Sequence, residues 1–506
     1  MRRLLLSASL VLSTLPLAAE VRLPHVFSDH AVIQRDRPVR VWGWARPGEQ
    51  VSVSFHQQKL SVTATARGQW ETWLTPESAG GPYTLTVNGD ATASPITRND
   101  ILVGDVWIAS GQSNMEMPLK GFNPDTQIKD HEKEIAAANY PKIRLLFQHK
   151  RPAAVPLADT DDTWTVCTPE TATNFSAVAY FFGRDVQEHE KGVPIGLIDT
   201  SWGGTPAMAW MSTQGAGYLG QQSLFANGSN MVTDQGTGDE VRANWAAQDE
   251  ADKAAGRTPI KHPSLPIDHS SSWNPAALYN GMLAPYTKYA IRGAIWYQGE
   301  ADQGAAYAPY YGRIFGGMIQ DWRRQWAQGD FPFLFVQLSS YGTSTVDGWS
   351  TVRDAQRKTL SLVNTGMAVT LDVGHPTNIH PGDKQSVGAR LAAAALSISY
   401  GAKAEGFSPM FEQATTEPNG MRAWFTHAEG LAPKAGAVGG FEIAGADRKF
   451  APAEARVEKI GDHVTVVATS STVKEPKYIR YGWAAVVTDY LYNSAGLPMG
   501  TFTSEP

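Results

Sequence analysis

Two textures of hydrophobic patterning divide the chain. From Val21 to about Ile101, apolar and polar residues alternate in short runs such as Val39–Trp44, Val51–Phe55 and Tyr83–Val87. Turn residues at Arg46-Pro47-Gly48, Gly80-Gly81-Pro82 and Asn88-Gly89-Asp90 separate or end these runs. Alternation of period two with regular Gly/Pro punctuation predicts a small antiparallel β-domain. After Asp105 the runs become continuously apolar: Val106–Ala109, Ile195–Ile198, Ala294–Tyr297, Phe333–Leu338 and Met367–Leu371. Strands apolar on both faces are what a parallel sheet covered by helices requires. Helical candidates fall between them, at Ala177–Glu190, Tyr310–Ala327, Val352–Leu362 and Lys384–Ser399. Strands alternating with helices predict an open α/β sheet with its ligand site beyond the carboxyl ends of the strands. Residues 214–272, rich in Gly, Ser, Asn and Ala, are expected to form a long insertion near that site. From about Phe407 alternation returns, in Arg422–Thr426, Gly440–Ala444 and His463–Val467, and predicts a second β-domain. The expected division is therefore 20–101, 102–404 and 405–506.

Composition agrees with packed domains. The chain has 506 residues, 42% hydrophobic and 18% charged, enough apolar side chain for sizeable cores and too little charge for disorder. A net charge of −6 without a Lys/Arg-rich block argues against nucleic acid as a partner. Met1–Ala19 has the layout of a secretory signal: Arg2-Arg3, the apolar Leu4–Leu15, then Pro16-Leu17-Ala18-Ala19 before Glu20. Cleavage is the favoured reading over a retained anchor. No later segment reaches the roughly 18 uninterrupted apolar residues of a membrane span. The expected product is secreted or periplasmic. The single cysteine, Cys167, sits in a strand-like Thr-Val-Cys-Thr run and reads as a buried structural thiol.

Four segments carry chemistry, each just after an expected parallel strand. Ser110-Gly111-Gln112-Ser113-Asn114 follows the first and places a serine where hydrolases of this architecture expose a nucleophile. Taken alone, it reads equally well as a turn. Asp199-Thr200-Ser201-Trp202-Gly203-Gly204 follows the second, and a Gly-Gly pair lets backbone N–H groups approach a ligand closely. Trp296-Tyr297-Gln298-Gly299-Glu300 follows the third with an amide and a carboxylate. Asn378-Ile379-His380-Pro381-Gly382-Asp383 follows the last, with Pro381 suited to the first turn of a helix Gly382–Ser399 and His380 just before it. Parallel strands deliver their carboxyl ends to one edge, so the four segments are expected to converge.

Gly-Gln-Ser-Asn-Met, Trp-Gly-Gly-Thr, Trp-Tyr-Gln-Gly-Glu and Ile-His-Pro, in this order, resemble the sialate O-acetylesterase family of SGNH-type hydrolases. The likeness spans nearly the whole mature chain, from Val26-Phe27-Ser28-Asp29 through Asn274-Pro275 to Arg480-Tyr481-Gly482-Trp483 and Gly496-Leu497-Pro498. It implies a flavodoxin-like SGNH parallel sheet flanked by N- and C-terminal β-sandwich-like domains, and a cofactor-independent esterase acting on O-acetylated carbohydrate. It also implies Ser113 as nucleophile and His380 as base. The oxyanion hole would come from the Ser113 N–H, an N–H of Gly203 or Gly204, and Gln298.

One departure matters. SGNH hydrolases usually carry an Asp three residues before the histidine, and here that position is Thr377; His375 and Asn378 also stand where relatives often have Asp. Glu300, Asp372 and Asp383 are candidates for the carboxylate partner, and a Ser–His dyad aided by a backbone carbonyl is the alternative. His375 and His380 are five residues apart with no supporting cluster, which argues against a metal. Trp42, Trp44, Trp322, Trp326 and Trp424 lie in periodic runs and read as core. Two further readings stay open: an acetylesterase for xylan or xyloglucan, and a non-catalytic glycan-binding protein. The oligomeric state is not legible in the sequence.

Overall fold

The computed structural model describes residues 21–92, 94–218, 247, 249–250, 252–254, 256–258, 271–342, 348–402 and 406–506. The expected leader, Met1–Ala19, and most of the expected insertion 214–272 lie outside these residues. Strand β1 (Ile96–Gly111) organises the rest. Its first half alternates in burial and pairs antiparallel with Gly80–Gly89, in the N-terminal β-region. From Ile101 onward it is wholly buried, and from Trp107 it pairs parallel on both sides. One strand thus changes from a half-solvated to a doubly covered environment, and its hydrophobic pattern changes with it.

The central sheet adds β2 (Tyr140–Phe147), β3 (Trp164–Cys167), β4 (Ile195–Ser201), β5 (Gly293–Tyr297), β6 (Phe333–Gln337) and β7 (Thr365–Val369). Their order is β7-β6-β5-β1-β4-β2-β3, all parallel except the edge strand β3. The fold is a mixed α/β architecture with additional β-rich regions. Because the chain leaves β1 for β4 and β2 on one side, then β5, β6 and β7 on the other, the order reverses at β1. Such a reversal opens a crevice at the strand's carboxyl end.

Helix α1 (Ser113–Glu116) follows β1 directly. Helices α2 (Ala177–His189) and α5 (Lys384–Ser399) pack together on one face, and α3 (Tyr311–Trp326) with α4 (Gly348–Thr359) on the other. Ser176 Oγ caps α2 by accepting from the Ala179 N–H at 3.1 Å. Asp383 caps α5 by accepting from the Ser386 N–H at 3.0 Å, so α5 starts at Lys384 and Pro381 lies ahead of its first turn.

A single hydrophobic core runs from the N-terminal β-region into the α/β layer, joined where Phe27 packs edge-on against Trp42 and Tyr289. The C-terminal β-region has its own core around Phe425, Phe441, Tyr481 and Phe502. Fully buried Arg353 ties it to α4 and β6, donating to the carbonyls of Leu338, Ser339, Ala484 and Ala485. Trp42, Trp322 and Trp326 are buried, while Trp44 and Trp424 are only half-buried. Trp44 carries the Arg22 guanidinium over its ring. Cys167 is buried, and burial pushes its thiol up to about 12.

Candidate active site

The nucleophile loop is shaped by one glycine. Gly111 ends β1 with φ +141°, and a Cβ there would lie 2.2 Å from the Tyr297 carbonyl oxygen of β5. Neither the dihedral nor the space admits a side chain. The close approach lets the Gln112 N–H donate to Tyr297 O at 3.0 Å, while the Trp202 N–H donates to Gly111 O at 3.0 Å. Gln112 Oε1 then accepts from the N–H groups of Gly299 and Ala301. The loops after β1, β4 and β5 are therefore laced together by backbone bonds before any catalytic group is placed.

Ser113 and His380 meet. His380 Nε2 lies 2.8 Å from Ser113 Oγ, with the serine hydroxyl donating when the imidazole is neutral. Asn378 Oδ1 accepts from the His380 N–H at 2.9 Å and fixes the turn that presents the ring. Partial burial holds the imidazole below its usual pKa, the Lys384 ammonium adds to this, and Glu116 opposes it. Phe122, partly exposed, packs edge-on against the same ring.

Gly203 comes next to the nucleophile: a Cβ on it would lie 3.1 Å from Ser113 Cβ. Its N–H donates to Glu116 Oε2 at 2.5 Å, and Lys150 Nζ pairs with Glu116 Oε1 at 2.5 Å. Gly204 is exposed at the same turn. Gln298 departs from the expectation that it donates to an oxyanion. Its amide nitrogen is spent on Thr205 O at 3.1 Å and Asp302 Oδ2 at 2.5 Å, with the side chain fully buried. It holds the turn after Gly204 from beneath and does not offer a free donor.

None of the three candidate carboxylates reaches the histidine ring. Asp372 is held by both arms of Arg390, at 2.7 and 2.9 Å. Asp383 is spent on Ser386, capping α5. Glu300 accepts from Asn114 Nδ2 at 2.6 Å, and burial raises its carboxyl above the usual range. Thr377 and Asn378 turn toward the His375 ring, both donating their N–H to its Nδ1. Among the described residues, Nε2 to Ser113 is the side-chain bond the His380 ring makes.

Several participants escaped the motif reading. Glu116 and Asn114 belong to the nucleophile segment, but their partners come from other loops, so nothing local marks them. Lys384 is wholly buried, an unusual place for a lysine; in sequence it is one more polar residue at a helix start. Asp302, four residues past Gln298, accepts from it and from the Ala207 N–H, and burial lifts its carboxyl to about 6. Among the described residues no group of three His, Cys, Asp or Glu is arranged to hold a metal, and no helix is long and apolar enough to cross a membrane.

The family described as carbohydrate esterase, sialic acid-specific acetylesterase matches residues 103–258 and 267–397. Sialate O-acetylesterase of Pongo abelii is 31% identical over 399 residues, covering 72% of this chain and 68% of that protein. The Rattus norvegicus sialate O-acetylesterase is 30% identical over 427 residues, covering 76% and 74%. Among solved structures, a carbohydrate acetylesterase from Xanthomonas citri superposes with a TM-score of 0.80 at 34% identity, covering 96% of this chain and 99% of that one. The match reaches across the loops that carry Ser113, Gly203, Gln298 and His380, and the chain belongs to the carbohydrate esterase family of sialic acid-specific acetylesterases.

Proposed function

We propose that this ester hydrolase is a serine carbohydrate O-acetylesterase in which Ser113 attacks the acetyl carbonyl and His380 accepts its proton. The observation that carries the reading is the 2.8 Å contact between His380 Nε2 and Ser113 Oγ, made across 267 residues of sequence. In the first half-reaction the serine oxygen bonds to the carbonyl carbon. The resulting oxyanion collapses, and the sugar alkoxide leaves with the proton held by His380. In the second, His380 deprotonates water, which attacks the acetyl-serine and releases acetate. The oxyanion is received by the Ser113 N–H, which has no intrahelical partner at the start of α1, and by N–H groups of Gly203 and Gly204. Gly203 serves once Glu116 gives up its N–H, the carboxylate staying with Lys150.

The strand order and the nucleophile's place at the switch point support an SGNH-type, flavodoxin-like catalytic layer, 102–404, between β-domains 20–101 and 405–506. A leader at 1–19 makes the enzyme secreted or periplasmic. The substrate is an O-acetylated sugar, sialate-like by the named relatives. The test is hydrolysis of 4-nitrophenyl acetate by wild type and Ser113→Ala. Loss of the nucleophile should lower kcat by several orders of magnitude; comparable rates would refute the mechanism. Acetate release from acetylated sialic acids and acetylated xylan or xyloglucan would then rank the sugars.

A further inference from the structure

We propose that Lys384, Asn114 and Glu300 form a buried brace that positions His380 through its backbone, where related hydrolases use a carboxylate on the ring. The inference rests on the Ser113–His380 reading above. Asn114, the residue after the nucleophile, donates through Nδ2 to Ile379 O at 2.9 Å and to Glu300 Oε1 at 2.6 Å. Lys384 Nζ donates to Asn114 Oδ1 at 2.6 Å and to Pro381 O at 2.9 Å. The carbonyls on both sides of His380 are thus gripped by one network, whose middle member is covalently attached to Ser113. A shift of the histidine segment relative to the serine would break bonds at both ends.

The chemistry of the brace is unlike that of a packing device. Lys384 is 0% exposed, Asn114 2% and Glu300 6%. Burying an ammonium carries a desolvation cost that an apolar side chain of the same length would avoid. Glu300 Oε2 is buried without a hydrogen-bond partner, which adds to the expense. A polar network this costly is explained by what it does to its neighbour. Around the Lys384 ammonium stand Glu300 and Asp383, with the Tyr297 ring centroid 5.5 Å away. The charged groups that act on the imidazole are Lys384, which opposes its protonation, and Glu116, which favours it. Burial pushes the Lys384 amine down to about 7, so below that pH its charge adds to the burial of the ring in opposing protonation of His380 while the brace holds the base in place.

The experiment is the pH dependence of 4-nitrophenyl acetate hydrolysis by Lys384→Met, with Ser113→Ala alongside and thermal unfolding as the check on folding. Lys384→Met keeps the length and removes both donors and the charge. Expected are a kcat roughly 10- to 100-fold lower with KM within about twofold, because the base is misplaced and binding is not. The acid limb of kcat/KM should also move to higher pH, since the Lys384 charge that adds to burial in depressing the imidazole is gone. A merely structural lysine would not move that limb. Wild-type kcat together with an unmoved limb overturns the brace. Ser113→Ala remaining active would overturn the nucleophile assignment instead, so the two failures are distinguishable. If Lys384→Met does not fold, Asn114→Ala carries the same test: a kcat at least about tenfold lower supports the brace, and a wild-type kcat overturns it.

Discussion

Gly111→Ala probes how the fold delivers the nucleophile. The added Cβ would sit 2.2 Å from Tyr297 O, where ordinary contact begins at 3.4 Å, so β1 and β5 must part by the difference, about 1.2 Å. That opening breaks the 3.0 Å bond from the Gln112 N–H to Tyr297 O. Losing one such bond costs about 1 kcal/mol. Holding alanine at φ +141° adds about 1–3 kcal/mol of backbone strain. The sum is about 2–4 kcal/mol of stability, from a residue that contributes no side chain of its own. The functional effect is larger in proportion. Ser113 lies two residues beyond the displaced position, and a shift of about 1 Å in a reacting group costs on the order of 100-fold in rate. Thermal unfolding and 4-nitrophenyl acetate turnover of the purified variant measure both. A midpoint lowered by several degrees, with kcat down by about two orders of magnitude in protein that remains folded, is expected. Gly111→Ala with a wild-type midpoint and kcat within twofold would refute the argument that this contact sets the geometry of the site.

Three other outcomes follow from the same structure. His380 works as a base only when neutral, and burial together with Lys384 holds its pKa below 6.5, so kcat/KM should rise through an acid limb centred below pH 6.5; a limb at or above that value would show that the imidazole does not feel these groups. Asp372→Asn should destabilise the fold by about 1–3 kcal/mol through the lost charge-assisted pair with Arg390 and leave kcat of the folded protein near wild type; a loss beyond about 100-fold would reinstate it as the histidine's carboxylate partner. Cys167, buried with its thiol raised to about 12, should resist iodoacetamide at pH 8 in the native protein and react in urea, as read by mass shift. Native-state labelling would contradict the burial.

The strands that the sequence revealed most readily are the continuously apolar ones. Ile195–Ser201, Gly293–Tyr297, Phe333–Gln337 and Thr365–Val369 all begin within two residues of their expected starts. Pro141, Lys142 and Arg144 interrupt the apolar run of Tyr140–Phe147 and hide this strand from the pattern of the sequence. In the fold Arg144 folds back to Asp100 and the His30 carbonyl, so the strand buries a charge that looked like a surface signal. Helix α4 starts at Gly348, four residues ahead of its expected start, since Gly348 and Ser350 carry no helical periodicity yet are buried. At the site, the serine and histidine were legible because each follows a strand whose carboxyl end must face the same edge. Gln298 shows in the sequence only as an amide with two donors at a strand end; that Thr205 O and Asp302 Oδ2 accept from it emerges only in the fold.

Periodicity and composition by themselves determined the alternation of β-rich and α/β regions, the parallel character of the central strands and the edge on which the loops gather. These follow from local rules, because a side chain's face is dictated by the repeat of its own strand or helix. Which polar groups remain free at that edge was decided by tertiary structure alone. Asp372 and Asp383 sit near His380 in sequence but have their lone pairs satisfied elsewhere, while Lys384 and Asn114, unremarkable in a string of letters, bracket the histidine. A hydrogen-bond partner is a matter of distance and direction over a few ångströms, and residues hundreds of positions apart acquire one only when the chain has closed around them.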